Sequence, residues 1–343
     1  MKNQKSCFIK ERMNKVCVVT VTYGNRFNIL KQVLDRITAD EHIKKIFIVD
    51  NASNIESRKK LQEYPKKGKI FIKHLKENVG SAGGFKKGLE LAYKCNDCEY
   101  ILLLDDDNLP EKKVIPKIFQ KLKNIEFNPS KDAIWIFRIN HKIFLDYIKN
   151  NNPAGMLPTK NSFVGMHFLT IWGKVIKLLK KKMTNKSIKI DNKWGLLHAV
   201  PYGGLFFHKS LLKKIGFPRE DFFVYVDDYE WTYRITRHGG KIVVFPDLQI
   251  EDIIKSWHTK EEKASFFFKI MTTNDEKRVY YAIRNTIVFE RENFVDNEIV
   301  YKINMFLFLT FLKLYKNRNN KKQYETILKA IKDGLDKKLG KTL

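Results

Sequence analysis

The sequence predicts an α/β fold: a mostly parallel sheet flanked by helices, with a C-terminal helical extension. Three observations predict it. Short β-branched runs alternate with amphipathic helical stretches from residue 15 onward, two hydrophobic runs lead into acidic residues, and beyond Ser256 the patterning is largely helical. Strands alternating with helices at this spacing form parallel sheets with helices on both faces. Such sheets bind ligands beyond the carboxyl ends of their strands.

After a basic tail over residues 1–14, KVCVVTVTY (15–23) reads as a buried strand. RFNILKQVLDRIT follows, with Phe27, Leu30, Val33, Leu34 and Ile37 at helical spacing. KKIFIVDNAS is a second strand ending on Asp50, and KIFIKHL is a third. GSAGGFKKGLELAYK is a glycine-rich turn entering a helix, EYILLL is a fourth strand, and Pro110 is expected to start the next helix. Residues 139–190 make a polar, basic, amphipathic insertion. FFVYVDDYEWTYRITRHGGKIVVFP reads as strand, acidic turn, helix closed by Gly239 and Gly240, and strand. The main domain is therefore placed at 15–255 and a helical region at 256–343.

With 343 residues, 43% of them apolar and 13% aromatic, the chain has ample core and is not globally disordered. Lys and Arg number 65 against 38 Asp and Glu, a formal charge of +27. That excess points to anionic partners: nucleic acid, a phospholipid surface or phosphorylated small molecules. The four cysteines are Cys7, Cys17, Cys95 and Cys98, and MKNQKSCFIKERMN lacks the apolar centre of a signal peptide. Free thiols in a reducing cytosol are expected. Cys95 and Cys98 lack the second pair that a zinc site needs, so they read as ordinary thiols. No apolar run reaches the length of a spanning helix. Two basic amphipathic segments, FLTIWGKVIKLLKKK and YKINMFLFLTFLKLYK (301–316), each suit packing on their own domain. Together with the charge they point to an anionic membrane surface.

YILLLDDDNLPEKK (100–113) drives a hydrophobic run into three aspartates. Adjacent carboxylates raise one another's cost of ionising, and a divalent cation offsets this while gripping a diphosphate. Helix capping by Asp107 or Asn108 accounts for one such residue, not three. Asp227-Asp228-Tyr229-Glu230 follows a second hydrophobic run and offers either a helix cap or a general base. His258 in KSWHTK is a candidate ligand, and the glycines of ENVGSAGGFKKG suit a phosphate near a helix start.

In this order the motifs resemble the inverting glycosyltransferases of family 2, which have the GT-A fold, over residues 15–290. VTVTYGNR resembles that family's first strand and nucleotide loop, with Thr22 and Tyr23 at the donor. The resemblance sets Asp50 at the base and Asp105 and Asp106 at the ribose and sugar. It sets Asp107 on Mn²⁺ or Mg²⁺, and Asp228 as catalytic base. NVGSAGGFKKG, DDYEWTYRI and YYAIRN are most similar to segments of the galactofuranosyltransferase and rhamnosyltransferase subgroup. That likeness implies donor contacts at Asn78, Gly83 and Gly84, with Ser81 where the subgroup has glycine. It implies His258 as a further metal ligand and Trp194, Asp227 and Glu230 near the acceptor. The implied partners are a nucleotide sugar, UDP-galactofuranose foremost, and a glycan or polyprenyl-diphosphate-linked acceptor at the inner face of the cell membrane.

Nucleic acid is not an expected partner, since acidic clusters at two strand ends repel phosphate unless metal-loaded, and no recognised binding module is present. A sugar-phosphate nucleotidyltransferase would carry a glycine-rich loop ending in a basic residue after the first strand, whereas TYGNRFN has one glycine.

Overall fold

A computed structural model describes residues 15–65, 68–169, 194–254, 270, 271, 273, 275–316 and 320–343. The chain divides into two compact units. The first comprises Met1–Met156, Asp191–Glu220 and Asp228–Lys260. Among the described residues it contains strands β1 (Val16–Thr22), β2 (Ile43–Asp50), β3 (Ile70–His74), β4 (Tyr100–Asp105) and β5 (Asn108–Pro110). It continues with β6 (Ala133–Arg138), β7 (Gly195–Leu197), β8 (Leu205–His208) and β9 (Ile242–Asp252). Their order is β3-β2-β1-β4-β8-β6-β9-β5, with β7 paired to β9. The run β3-β2-β1-β4 is parallel, as is β6 with β9, while β8 enters antiparallel between β4 and β6.

Helices α1 (Phe27–Thr38), α2 (Ile55–Glu63), α3 (Gly80–Lys94), α4 (Val114–Leu122) and α5 (Ile143–Lys149) belong to the same unit, and α6 spans Asp227–Arg237. The predicted sheet-and-helix architecture is thus what the chain forms. Every residue of β1 is buried because both sheet faces are covered. Cys17, Val19 and Val21 pack with Phe85 and Leu89 of α3, while Val16 and Val18 pack with Leu30 and Leu34 of α1 and with Ile115 and Ile118 of α4. α3 lies close on β1 because of its glycines. A Cβ at Gly84 would sit 2.7 Å from Val21 Cγ1, and one at Gly88 only 2.4 Å from Val19 Cγ1.

Three expectations are corrected here. Cys17 and Cys98 are disulfide-bonded across a Cα–Cα distance of 5.5 Å, so only Cys95 among the described cysteines is a thiol. Pro110 does not open a helix. β9 draws Asn108–Pro110 into the sheet, Pro110 opposite Ile250, and α4 begins at Val114 after Lys113 turns with φ +59°. Neither Asp107 nor Asn108 therefore caps a helix. Lastly, FFVYV is not a strand. Glu220–Phe222 is a 3-10 turn, and Phe223, Tyr225 and Val226 take φ of +66°, +65° and +67°.

The second unit comprises Leu157–Ile190, Asp221–Asp227 and Glu261–Leu343. Its helices are α7 (Glu276–Asn293), α8 (Glu298–Tyr315) and α9 (Lys321–Leu335), and its core includes Tyr280, Ile283, Phe308, Leu312 and Ile327. Asn285 Nδ2 donates to the carbonyls of Phe222, Val224 and Tyr225 at 2.8–2.9 Å, and Arg284 Nη2 donates to Phe222 at 3.1 Å. Gathering those carbonyls on one amide curls the segment that hydrophobicity alone reads as extended. Among the described residues, no helix is long and apolar enough to cross a membrane.

Glu290 is fully buried and accepts from Ser162 Oγ, Val164 N–H and Gly165 N–H at 2.8–2.9 Å. Burial outweighs those bonds and pushes its carboxyl from 4.5 up to about 7. Between these values the folded chain holds a proton that the unfolded chain has released, so stability falls as pH rises through that window. Glu290→Gln is expected to remove this slope and cost about 1–3 kcal/mol, because the amide nitrogen then confronts an N–H donor. Chemical denaturation at about pH 5 and about pH 8 reads both effects.

Candidate functional site

The carboxyl ends of β1, β2 and β4 stand side by side: Thr22 pairs with Asp50, and Val21 with Asp105. The chain thereby sets Thr22, Asp50 and the three aspartates along one sheet edge, where parallel sheets open onto ligands. Asp50 is buried at the end of β2. Burial works to raise its carboxyl, but His74 Nδ1 at 2.7 Å, Ser53 N–H at 2.8 Å and Arg58 Nε at 2.7 Å hold it below the usual carboxylate range. The result is a fixed anionic acceptor.

The aspartates turn from β4 into β5, and each meets a different environment. Asp106 is buried and accepts from Thr22 Oγ1 at 2.8 Å, Arg26 Nε at 2.8 Å and Arg26 Nη2 at 2.6 Å. Asp105 accepts from Arg138 Nη1 at 3.0 Å, and Arg138 Nε donates to Asp252 Oδ1 at 2.9 Å. Asp252 also takes Asn108 Nδ2 at 2.9 Å and faces His141 Nε2 at 3.1 Å. Burial favours raising Asp252, yet these partners hold it low. The like-charge repulsion of the triplet is therefore offset in part by the protein's own guanidiniums, Arg26 and Arg138.

Asp107 is held more loosely. It faces Arg26 Nη2 at 3.3 Å, accepts from Asn108 Nδ2 at 3.3 Å and keeps 16% of its side chain exposed. Burial first, then Asp105 and Asp106, push its carboxyl up to about 7. A carboxylate so destabilised, at an open strand edge, gains most from a divalent cation. Asp107 offers one carboxylate to such an ion. Among the described residues no group of three or more His, Cys, Asp or Glu side chains is arranged to hold a metal, and His258 lies outside them.

Gly203 lets the aspartate turn close. A Cβ there would sit 2.0 Å from Asn108 Oδ1 and 2.7 Å from Asp105 Oδ2, and its carbonyl accepts from Trp135 Nε1 at 2.9 Å. The same segment secures α6. Val200 N–H donates to Thr232 Oγ1 at 3.0 Å, and that hydroxyl donates to Val200 O at 2.8 Å. Asp228 is half-buried near the start of α6 and accepts from Tyr229 N–H at 2.8 Å. The Tyr229 phenol is driven well above its ordinary value, by burial first and Asp228 second, with Arg138 acting against them. The arginine that holds Asp105 thus acts electrostatically on the residue beside Asp228.

The remaining expected positions fall variously. Tyr23 is half-exposed under the Arg26 guanidinium, 5.3 Å from its ring centre. Asn78 Oδ1 accepts from Gly80 N–H at 2.8 Å and Asn51 Nδ2 at 3.2 Å, shaping the turn into α3. Gly83 and Gly84 are buried, with Val79 and Val21 filling the space where their Cβ atoms would stand. Packing by itself thus requires both glycines. Glu230 is held by Arg234, Nε to Oε1 at 2.9 Å and Nη2 to Oε2 at 2.6 Å, and Arg234 also donates to the Ile215 carbonyl. Asp227 is buried in the second unit's share of the chain, and Trp194 stands 42% exposed before β7. Arg26, Arg138, His141, Asp252 and Gly203 were not foreseen. A charge ending the apolar run AIWIFR is the one local signal among them.

Residues 17–216 match the family model described as Glycosyl transferase family 2. A Methanocaldococcus jannaschii protein, MJ0544, is 31% identical over 106 residues, which cover 30% of this chain and 44% of that protein. Among solved structures, the 1–349 fragment of S. aureus TarS in complex with UDP-GlcNAc is 15% identical at a TM-score of 0.49, covering 93% of this chain and 81% of that one. The mannosyltransferase PcManGT of Pyrobaculum calidifontis, in complex with GDP-Man and Mn²⁺, is 14% identical at 0.48, covering 94% and 88%. Against another TarS structure the alignment spans 44% of that chain's length.

Proposed function

The chain belongs to glycosyl transferase family 2, and we propose that it is a transferase that moves a sugar from a nucleotide donor to an acceptor hydroxyl by a single inverting displacement. The observation that carries this reading is the strand-end edge itself, where Asp50, Asp105, Asp106 and Asp107 follow the ends of neighbouring strands, with Asp105 raised by burial and Asp107 pushed up to about 7. Asp228 takes the proton from the acceptor hydroxyl, whose oxygen bonds to the anomeric carbon as the bond to the diphosphate breaks. Attack opposite the nucleotide inverts that carbon. Asp107, with His258, would hold Mn²⁺ or Mg²⁺, which when bound offsets the charge growing on the diphosphate. Asp50, which resembles the family's base-contacting aspartate, would stand at the base of the donor.

The favoured donor is UDP-galactofuranose, supported by the likeness of NVGSAGGFKKG, DDYEWTYRI and YYAIRN to that subgroup; a rhamnosyl or other hexosyl donor is the second reading. Thr22, Tyr23, Asn78, Gly83 and Gly84 would line the donor, and Trp194, Asp227 and Glu230 the acceptor. The acceptor is a glycan, free or on a polyprenyl diphosphate, presented at the inner face of a membrane whose anionic headgroups attract the +27 chain.

Binding and hydrolysis of UDP-galactofuranose, UDP-galactose, UDP-glucose, UDP-N-acetylglucosamine and dTDP-rhamnose, each with and without Mn²⁺, test the reading. Metal-dependent selection of one donor is expected. If no nucleotide sugar binds under any metal condition, the strand-end carboxylates serve the fold alone.

A further inference from the structure

Helix α8 is apolar on two opposite faces, and its own unit covers one of them. Tyr301, Asn304, Phe308 and Leu312 are buried, with the Phe163 ring 5.4 Å from those of Tyr301 and Phe308 and Asn304 Nδ2 donating to the Asn161 carbonyl at 2.7 Å. On the other side Ile299, Ile303, Phe306 and Leu314 are 72%, 47%, 68% and 77% exposed. At about 100° per residue these four fall on a single stripe directly opposite the buried set. A helix apolar all round is ordinarily buried all round, so a long stripe left in water marks a contact surface. The charge around it is mostly of one sign. From Glu298 to Lys316 the sequence contains Lys302, Lys313 and Lys316 against the single carboxylate Glu298, which faces Arg291 Nη2 at 3.6 Å, and helical geometry sets Lys302 and Lys313 along one edge of the stripe.

We propose that this face of α8 docks on an anionic phospholipid bilayer, with its apolar side chains at the acyl boundary and Lys302 and Lys313 among the headgroup phosphates. This deepens, and rests on, the membrane part of the proposed function; it is independent of the donor sugar. The helix lies in the membrane plane and does not span it, because its opposite face is committed to protein. A second copy of the chain is the poorer occupant, since bringing two bodies of charge +27 together is repulsive where an anionic surface attracts both.

The test is co-sedimentation of the full chain with vesicles of phosphatidylglycerol and phosphatidylcholine, and of phosphatidylcholine alone, at moderate salt. Two double variants accompany the wild type, Phe306→Ser with Leu314→Ser and Lys302→Glu with Lys313→Glu. The wild type is expected to bind the anionic vesicles preferentially, each variant about tenfold or more weakly, and all three to bind nucleotide sugar alike. If both variants bind vesicles as the wild type does, the membrane reading stands and the role of α8 is overturned. If the wild type binds no vesicles, both fall, and the donor panel decides the transferase reading separately. If the wild type is a dimer that Phe306→Ser with Leu314→Ser makes monomeric while vesicle binding persists, the occupant is a second copy and the proposal is overturned.

Discussion

Asp228→Asn is expected to abolish sugar transfer, lowering kcat by about a thousandfold or more while donor affinity stays near that of the wild type. The exchange keeps the shape of the side chain and removes its capacity to take a proton. Tyr229 N–H still finds an oxygen acceptor at the start of α6, so the helix is not expected to unravel. Donor binding by calorimetry and turnover with a glycan acceptor, measured on the same preparation, separate the outcomes. Unchanged turnover would remove Asp228 from the mechanism. A parallel loss of donor binding would make it a binding residue and not the base.

Arg138→Met is expected to be the most damaging single change to the site. Arg138 is buried and bridges the part-exposed Asp105 to the buried Asp252, so an apolar replacement takes the guanidinium from both and leaves Asp252 in the interior with only Asn108 and His141. Removing one partner of a buried ion pair costs about 3–5 kcal/mol. The sign of the pH dependence follows from the same contacts. In the wild type Asp252 is held low, so the stability it contributes is present above its unfolded value and is lost as pH falls through its folded one. Burial raises the Asp105 carboxyl in the wild type already, with Arg138 acting against it; in the variant that opposition is gone and Asp252 loses the guanidinium that helps hold it low, so the stability gained as pH rises is smaller. The gap between the two proteins should therefore widen from acid to neutral pH in urea denaturation. A gap independent of pH would show that Arg138 acts by packing alone. Asp252→Asn in the variant should recover part of the loss, since one stranded charge is then gone.

These two residues differ in how visible they are before folding. Asp228 stands in an acidic cluster entering a helix, a local pattern that chemistry marks at once. Arg138 is 33 positions from Asp105 and 114 from Asp252, and no window of sequence holds all three. Arg26 is likewise 80 positions from the Asp106 it grips. FFVYV shows the converse case. Five apolar residues satisfy every local rule for a strand, yet Asn285 collects three of the segment's carbonyls from 60 to 63 residues away and bends it into left-handed turns. Pro110 suits a helix start by local rules, and pairing with Ile250 takes it into the sheet.

The parallel half of the sheet is legible before folding, because strands buried on both faces are written as near-continuous apolar runs, as β1 and β4 are. The sequence by itself also determined which carboxylates stand at the strand ends, since those lie within the motifs themselves. What meets each of them is set by long-range packing: Arg26 in close contact with Asp106, Arg138 with Asp105, and Arg26 and Asn108 at 3.3 Å from Asp107. Tertiary structure alone paired Cys17 with Cys98 and left one stripe of α8 in water. The reason is one of range. Burial and periodicity act over a few residues and leave their mark in any short window. Ion pairs, disulfides and covered faces depend on which distant segments the topology brings together.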